Sequence, residues 1–254
     1  TAPARRRPGR ADTAQHRTTA RQVRTEPMGG VHAAWLVAAW CAVIFAVFGA
    51  VYCVTRVHAD FKEKPALAAM NITHMLPIVA LCYYGVLGYR ARPDEIERRM
   101  YEYDGDAEMI CVVQIALQVF VTTMALSTRD KSLFKPELLG HHATTAALMV
   151  LCLRGTFAHS YLAVFFGVTE LSTIPLNVMD TLKNFKGLRK KHPTLDFASK
   201  LSFAVLFLSL RVGLSSKVSV EFQADLYELW QDDRAASVGT CAFMSVANLF
   251  VCAL

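Results

Sequence analysis

Residues 31–54 read VHAAWLVAAWCAVIFAVFGAVYCV, a run with no lysine, arginine, aspartate or glutamate. A helix apolar on every side has no face to offer water and belongs in lipid, where about 20 residues cross the hydrocarbon core. Working outward, the same reading applies to segments near 67–89, 107–127, 138–153, 158–180, 197–215 and 236–254. Of the 254 residues, 54% are hydrophobic and 19% charged, and mean hydropathy is +0.30. These values leave no room for a large soluble domain. The expected class is all-α: a polytopic membrane protein of about seven transmembrane helices.

The seven cysteines all fall inside expected spans and form no C-x-x-C pair, so they read as small apolar fillers. Residues 1–27 hold seven arginines and two acids and show no apolar period. They are expected to form a disordered arm, non-native if the chain truly starts at Met28. Without aromatics, and beside a membrane span, the arm gives no ground for assigning nucleic-acid binding. Residues 28–65 are then the first transmembrane helix and its loop. The last span reaches Leu254 without a polar tail, which reads as a chain cut short there. Lysine and arginine in the connecting loops favour a cytosolic 183–191 segment and a lumenal amino terminus, and the arginines of the arm reverse that vote.

Spans two to six carry polar stripes that span one lacks. Asn71 and His74 share a face of span two, with Pro77 expected to kink the helix one turn on. Gln114, Gln118 and Thr122 form one stripe on span three. Span four opens with His141 and His142, followed by Thr144 and Thr145. Glu170, Thr173 and Asn177 fall within about 60° of one another on a regular helix. A short connection predicts that spans four and five pack as an antiparallel hairpin. Arg211 stands near the end of span six, where a long side chain also has the option of snorkelling to the interface. Tyr83, Tyr84, Tyr89 and His159 read as interfacial.

An ionisable side chain at mid-membrane costs about 2.5–3.5 kcal/mol on insertion scales and persists when it faces a partner in the bundle. Converging stripes would build one polar cavity within a ring of helices. The glutamines and threonines read equally as interhelical glue, worth roughly 0.6 kcal/mol a contact. Histidines 141 and 142 point about 100° apart on a helix and cannot easily clasp one ion, so no metal site is expected. Acid–base or nucleophilic chemistry suits them better. No phosphate loop or G-x-S-x-G elbow is present.

His74, HHATT at 141–145, ELSTIPLN at 170–177 and Arg211 in LFLSLRVGL occur in an order that resembles the TLC domain family. That family includes the translocating-chain-associated protein, ceramide synthases and the Batten-disease membrane protein. The resemblance covers about residues 66–254. It implies six helices in a ring around a lipid-accessible cavity, one peripheral amino-terminal helix, and residence in the endoplasmic reticulum. It also implies His141 and His142 as a catalytic pair with Glu170 as orienter or proton relay. Asn71, His74, Gln114, Gln118, Thr145, Thr173, Asn177 and Arg211 would line the cavity. The implied partners are membrane lipids, with acyl-CoA as co-substrate and a sphingoid or other lipid acceptor, and no further cofactor. Ceramide synthases carry an H-D-x-x-D type motif where this chain reads VTELSTIPLN, which places it nearer the branch linked to lipid composition and trafficking.

Overall fold

The computed structural model describes residues 30–128, 136–155, 157–231 and 246. The arm at 1–27 and the seventh expected span lie outside them. Among the described residues every regular element is helical. Five helical stretches are long and apolar enough to cross a membrane: Gly30–Val57, Pro65–Arg90, Ile96–Ser127, His159–Asn184 and Pro193–Gln231. The chain is a polytopic helical membrane protein.

Helix α1 (Gly30–Val57) buries only Ala33, Ile44 and Thr55. Val31, Trp35, Val43 and Val54 are exposed, as a lipid-facing peripheral helix requires. It packs on α2 (Pro65–Arg90) and α4 (Gly105–Thr128). Phe45 and Phe48 meet the Phe120 ring edge-on at 5.4 and 5.8 Å. Helix α2 runs unbroken through Pro77. The short α3 (Ile96–Tyr101) interrupts the charged connection before α4. Helix α4 lies at the centre, with Ala107, Ile110, Cys111, Val113 and Phe120 inaccessible to solvent.

Helix α5 (Pro136–Arg154) carries the histidine pair and is 19 residues long. It falls outside the five apolar stretches because the histidines and threonines dilute its first half. The expected hairpin of spans four and five does not form: α5 packs along α4 and touches α1, and has no extensive contact with the next span. Ala158 adopts a left-handed conformation (φ 61°) and its amide donates to the Met100 carbonyl at 2.7 Å, steering the chain away from α5.

The fifth span is three pieces: α6 (His159–Phe165), a 3-10 segment (Val168–Ser172) and α7 (Thr173–Asn184). The break lies at Gly167, upstream of Pro175. Pro175 sits in the first turn of α7, where a missing N–H costs no hydrogen bond. A Cβ on Gly85 would stand 2.5 Å from the Gly167 backbone, so α2 and the break cross at the closest approach backbones allow.

After α8 (Lys186–Lys191), α9 (Pro193–Leu206) passes into a π-helical segment (Phe207–Leu214) and then α10 (Ser215–Gln231) without interruption. This stretch outruns the expected 197–215 span, because α10 continues as a helix where a loop was expected. The described helices form a packed row running from α5 through α4 and α2 to α7 and α9. The expected ring of six helices includes the seventh span, which lies outside the described residues.

Candidate functional site

The histidine pair is divided between two polar groups. The rings stand 5.5 Å apart at 59°, consistent with neighbours that diverge around a helix. The His142 Nδ1 atom meets the side-chain oxygen of Gln118 on α4. One turn along α4, Gln118 Nε2 donates to Gln114 Oε1 at 2.9 Å. His74 of α2 lies within electrostatic range of His142. The polar stripe of span three therefore backs His142, while His142 Nε2 is buried and has no hydrogen-bond partner among the described residues.

His141 faces the other group and lies within electrostatic range of Glu170 and Arg211. Arg211 Nη2 stands 3.6 Å from Glu170 Oε1. It also donates from Nε to Ser172 Oγ at 2.9 Å and from Nη2 to Thr173 Oγ1 at 3.1 Å. Arg211 therefore turns inward to partners on the fifth span and does not snorkel. A π segment widens the helix by one residue per turn, which re-aims the side chain it carries. Ser172 is missing from the residues picked out in sequence, because a regular helix aligns 170, 173 and 177 and turns 172 away. The 3-10 winding of 168–172 rotates it into reach.

Asn71 and Asn177 belong to neither group. Asn177 Nδ2 donates to the Asn71 carbonyl at 2.6 Å, and Asn71 Nδ2 donates to Thr181 Oγ1 at 3.1 Å. Thr181 Oγ1 in turn donates to the Asn177 carbonyl at 2.9 Å. This closed ring of bonds clamps α2 to α7, so both asparagines join the two helices. Thr145 is buried on α5. Thr73 is fully buried and its hydroxyl has no partner among the described residues.

A second constellation lies at the end of the bundle where α3, α6 and α10 meet. Arg99 grips Asp225 through Nε and Nη2, both at 2.8 Å. The Tyr161 hydroxyl also donates to Asp225. Arg92 pairs with Glu221 at 2.7 Å and covers the Tyr161 ring with its guanidinium 4.6 Å from the centroid. His159, expected at the interface, is buried, with Nε2 donating to the Cys152 carbonyl at 3.0 Å. The available signal was the i,i+4 spacing of Glu221 and Asp225, masked by their apparent place in a loop.

Among the described residues no group of three or more histidine, cysteine or acidic side chains is placed to hold a metal ion. The family model described as the TLC domain matches residues 67–254. No curated protein and no solved structure matches the chain.

Proposed function

The chain belongs to the TLC domain family, and from that premise we propose that it acts in membrane-lipid metabolism as a fatty-acyl transferase of the endoplasmic reticulum. The observation that carries this reading is the set of four ionisable side chains, His141, His142, Glu170 and Arg211, gathered from α5 and two of the apolar stretches. Ionisable groups are costly at this depth and persist where they serve a partner or a reaction. In the proposed reaction an acyl-CoA thioester gives its acyl group to a lipid hydroxyl or amine, releasing the CoA thiol. The histidine pair serves as base and transient acyl acceptor, and Glu170 orients His141. The acceptor's proton passes through imidazole to the departing thiolate, so charge and atoms balance.

The test offers a fatty acyl-CoA to the purified full chain and reads acyl mass on His141 or His142, together with acyl transfer to added lipid. Acylated histidine or lipid product, lost in His142→Ala, supports the reading. Neither adduct nor product, with a His142→Ala variant that still supports normal membrane-lipid composition in cells, sinks it.

One observation favours a second reading, a non-catalytic lipid-holding factor in membrane homeostasis. Arg211 is committed to Glu170, Ser172 and Thr173, an arrangement suited to a fixed polar wall. A lipid that co-purifies chemically unmodified, without any transfer, supports that reading over the first.

A further inference from the structure

We infer that Gln118 is a positioning residue that holds His142 in its Nδ1–H tautomer. The lone pair at buried Nε2 is thereby presented to a lipid whose head group carries a hydrogen-bond donor. The inference rests on the proposed lipid role of the histidine pair and adds which ring receives the donor and what sets it.

On α4, Gln114 and Gln118 stand one turn apart and are both buried. Gln118 spends its amide N–H on Gln114 Oε1 at 2.9 Å. Its oxygen is left against His142 Nδ1. An amide oxygen can only accept, so Nδ1 must donate, and a neutral imidazole has a single N–H. The lone pair therefore resides on Nε2, which is buried and has no partner among the described residues. Buried acceptors are almost always satisfied, and an orphan one implies a missing donor. A hydroxyl supplies such a donor, and so does a long-chain amine, which is an ammonium at about pH 8. A lipid ester or ether, with oxygen acceptors alone, would set lone pair against lone pair.

The test uses the full chain, labelled with ¹⁵N-histidine and held in phosphatidylcholine nanodiscs above pH 8. Two-bond ¹H–¹⁵N correlations report which ring nitrogen is protonated, and His142→Asn assigns the resonance. The expected wild-type ring carries its proton on Nδ1. Gln118→Glu, which can still accept, keeps that tautomer, and Gln118→Met loses the preference. Adding a diacylglycerol or a long-chain amine is expected to shift the Nε2 resonance, and the O-methyl ether of the same diacylglycerol is not. A wild-type ring protonated at Nε2, or a Gln118→Met ring unchanged from wild type, overturns the role of Gln118. An Nδ1–H ring that ignores every hydroxyl and amine lipid, or answers the ether equally, overturns the donor assignment. The acyl-transfer assay is read separately, so its failure leaves the tautomer result standing.

Discussion

Arg211 and Glu170 approach to 3.6 Å from two different spans, with side chains 36% and 14% exposed respectively. The geometry is a single contact on the acid, with the guanidinium's remaining reach taken by the Ser172 and Thr173 hydroxyls. Removing one partner leaves the other charge in a low-dielectric bundle, which is worse than removing both. Arg211→Ala is expected to cost about 1–3 kcal/mol, below the value for a fully buried pair because the arginine is partly exposed. The Glu170→Gln/Arg211→Gln double variant should cost less than the two single changes together, as measured by thermal unfolding in detergent. Arg211→Lys is expected to fail to restore stability, since an ammonium is a point charge and cannot span three partners as a planar fork does.

That pair also shows how far the site was legible in sequence. An arginine and a glutamate inside apolar runs announce themselves, because lipid penalises each wherever it sits. The hydroxyls that hold the arginine do not, because serine costs little and its direction depends on helix winding. Here the winding is set by the break at Gly167, which exists because Gly85 of another helix lies against it. Local periodicity carries no record of such a distant contact. The same limit explains the histidines: the pair was evident, while its division between Gln118 and the Glu170–Arg211 group depends on α5 packing along α4. The first helix was readable outright, since a lipid-facing surface has no partner to choose. The Arg99–Asp225 group was hidden because its charges resembled those of an ordinary surface loop.

The Gly85–Gly167 crossing predicts an asymmetric response to added volume. A Cβ at Gly85 meets three backbone atoms of residues 167 and 168 at 2.5 Å, and backbone cannot swing aside as a side-chain tip does. Gly85→Ala is therefore expected to destabilise by about 3 kcal/mol, the upper end for overpacking. A larger residue should prevent assembly. Gly49, whose Cβ would meet nothing within 4 Å, serves as the control, and Gly49→Ala should leave the melting temperature unchanged or slightly raised. Thermal unfolding of both variants in detergent checks the contrast.

A pH effect is expected at the loop joining α1 and α2. Lys191 reaches Asp60 at 2.5 Å. The hydrogen bond from Lys191, and then its charge, hold the Asp60 carboxyl below its usual range. A depressed folded-state value contributes stability that is present above the unfolded value, near 3.8. That contribution disappears as pH falls through the lower folded one. Contact between this loop and α8 should therefore loosen only in strong acid and also weaken with salt, because the pair is exposed. Limited proteolysis by pepsin within 58–64 from about pH 5 down to about pH 1.5 reads it, with Asp60→Asn expected to abolish the dependence.

The final expectation concerns α10, which is long, polar and held to the bundle by few groups. Asp225 accepts from both Arg99 and Tyr161, and its side chain is 6% exposed against 17% for Arg99. Replacing it with asparagine removes the charge and leaves one acceptor oxygen for Arg99 and Tyr161 where two served. Breaking a buried pair from one side costs about 3–5 kcal/mol when both charges are fully desolvated, and this pair is nearly so. Asp225→Asn is therefore expected to cost about 3 kcal/mol, concentrated on α10, which keeps the Arg92–Glu221 ion pair to the α2–α3 connection. Amide hydrogen exchange across 215–231 should accelerate strongly while α4 exchange is unchanged. An Asp225→Asn variant that accelerates exchange equally in α4 would show instead that α10 unfolds only with the bundle. The Arg92→Gln/Asp225→Asn double variant should release α10 further, since Phe222, Leu226 and Leu229 would then be its main anchors.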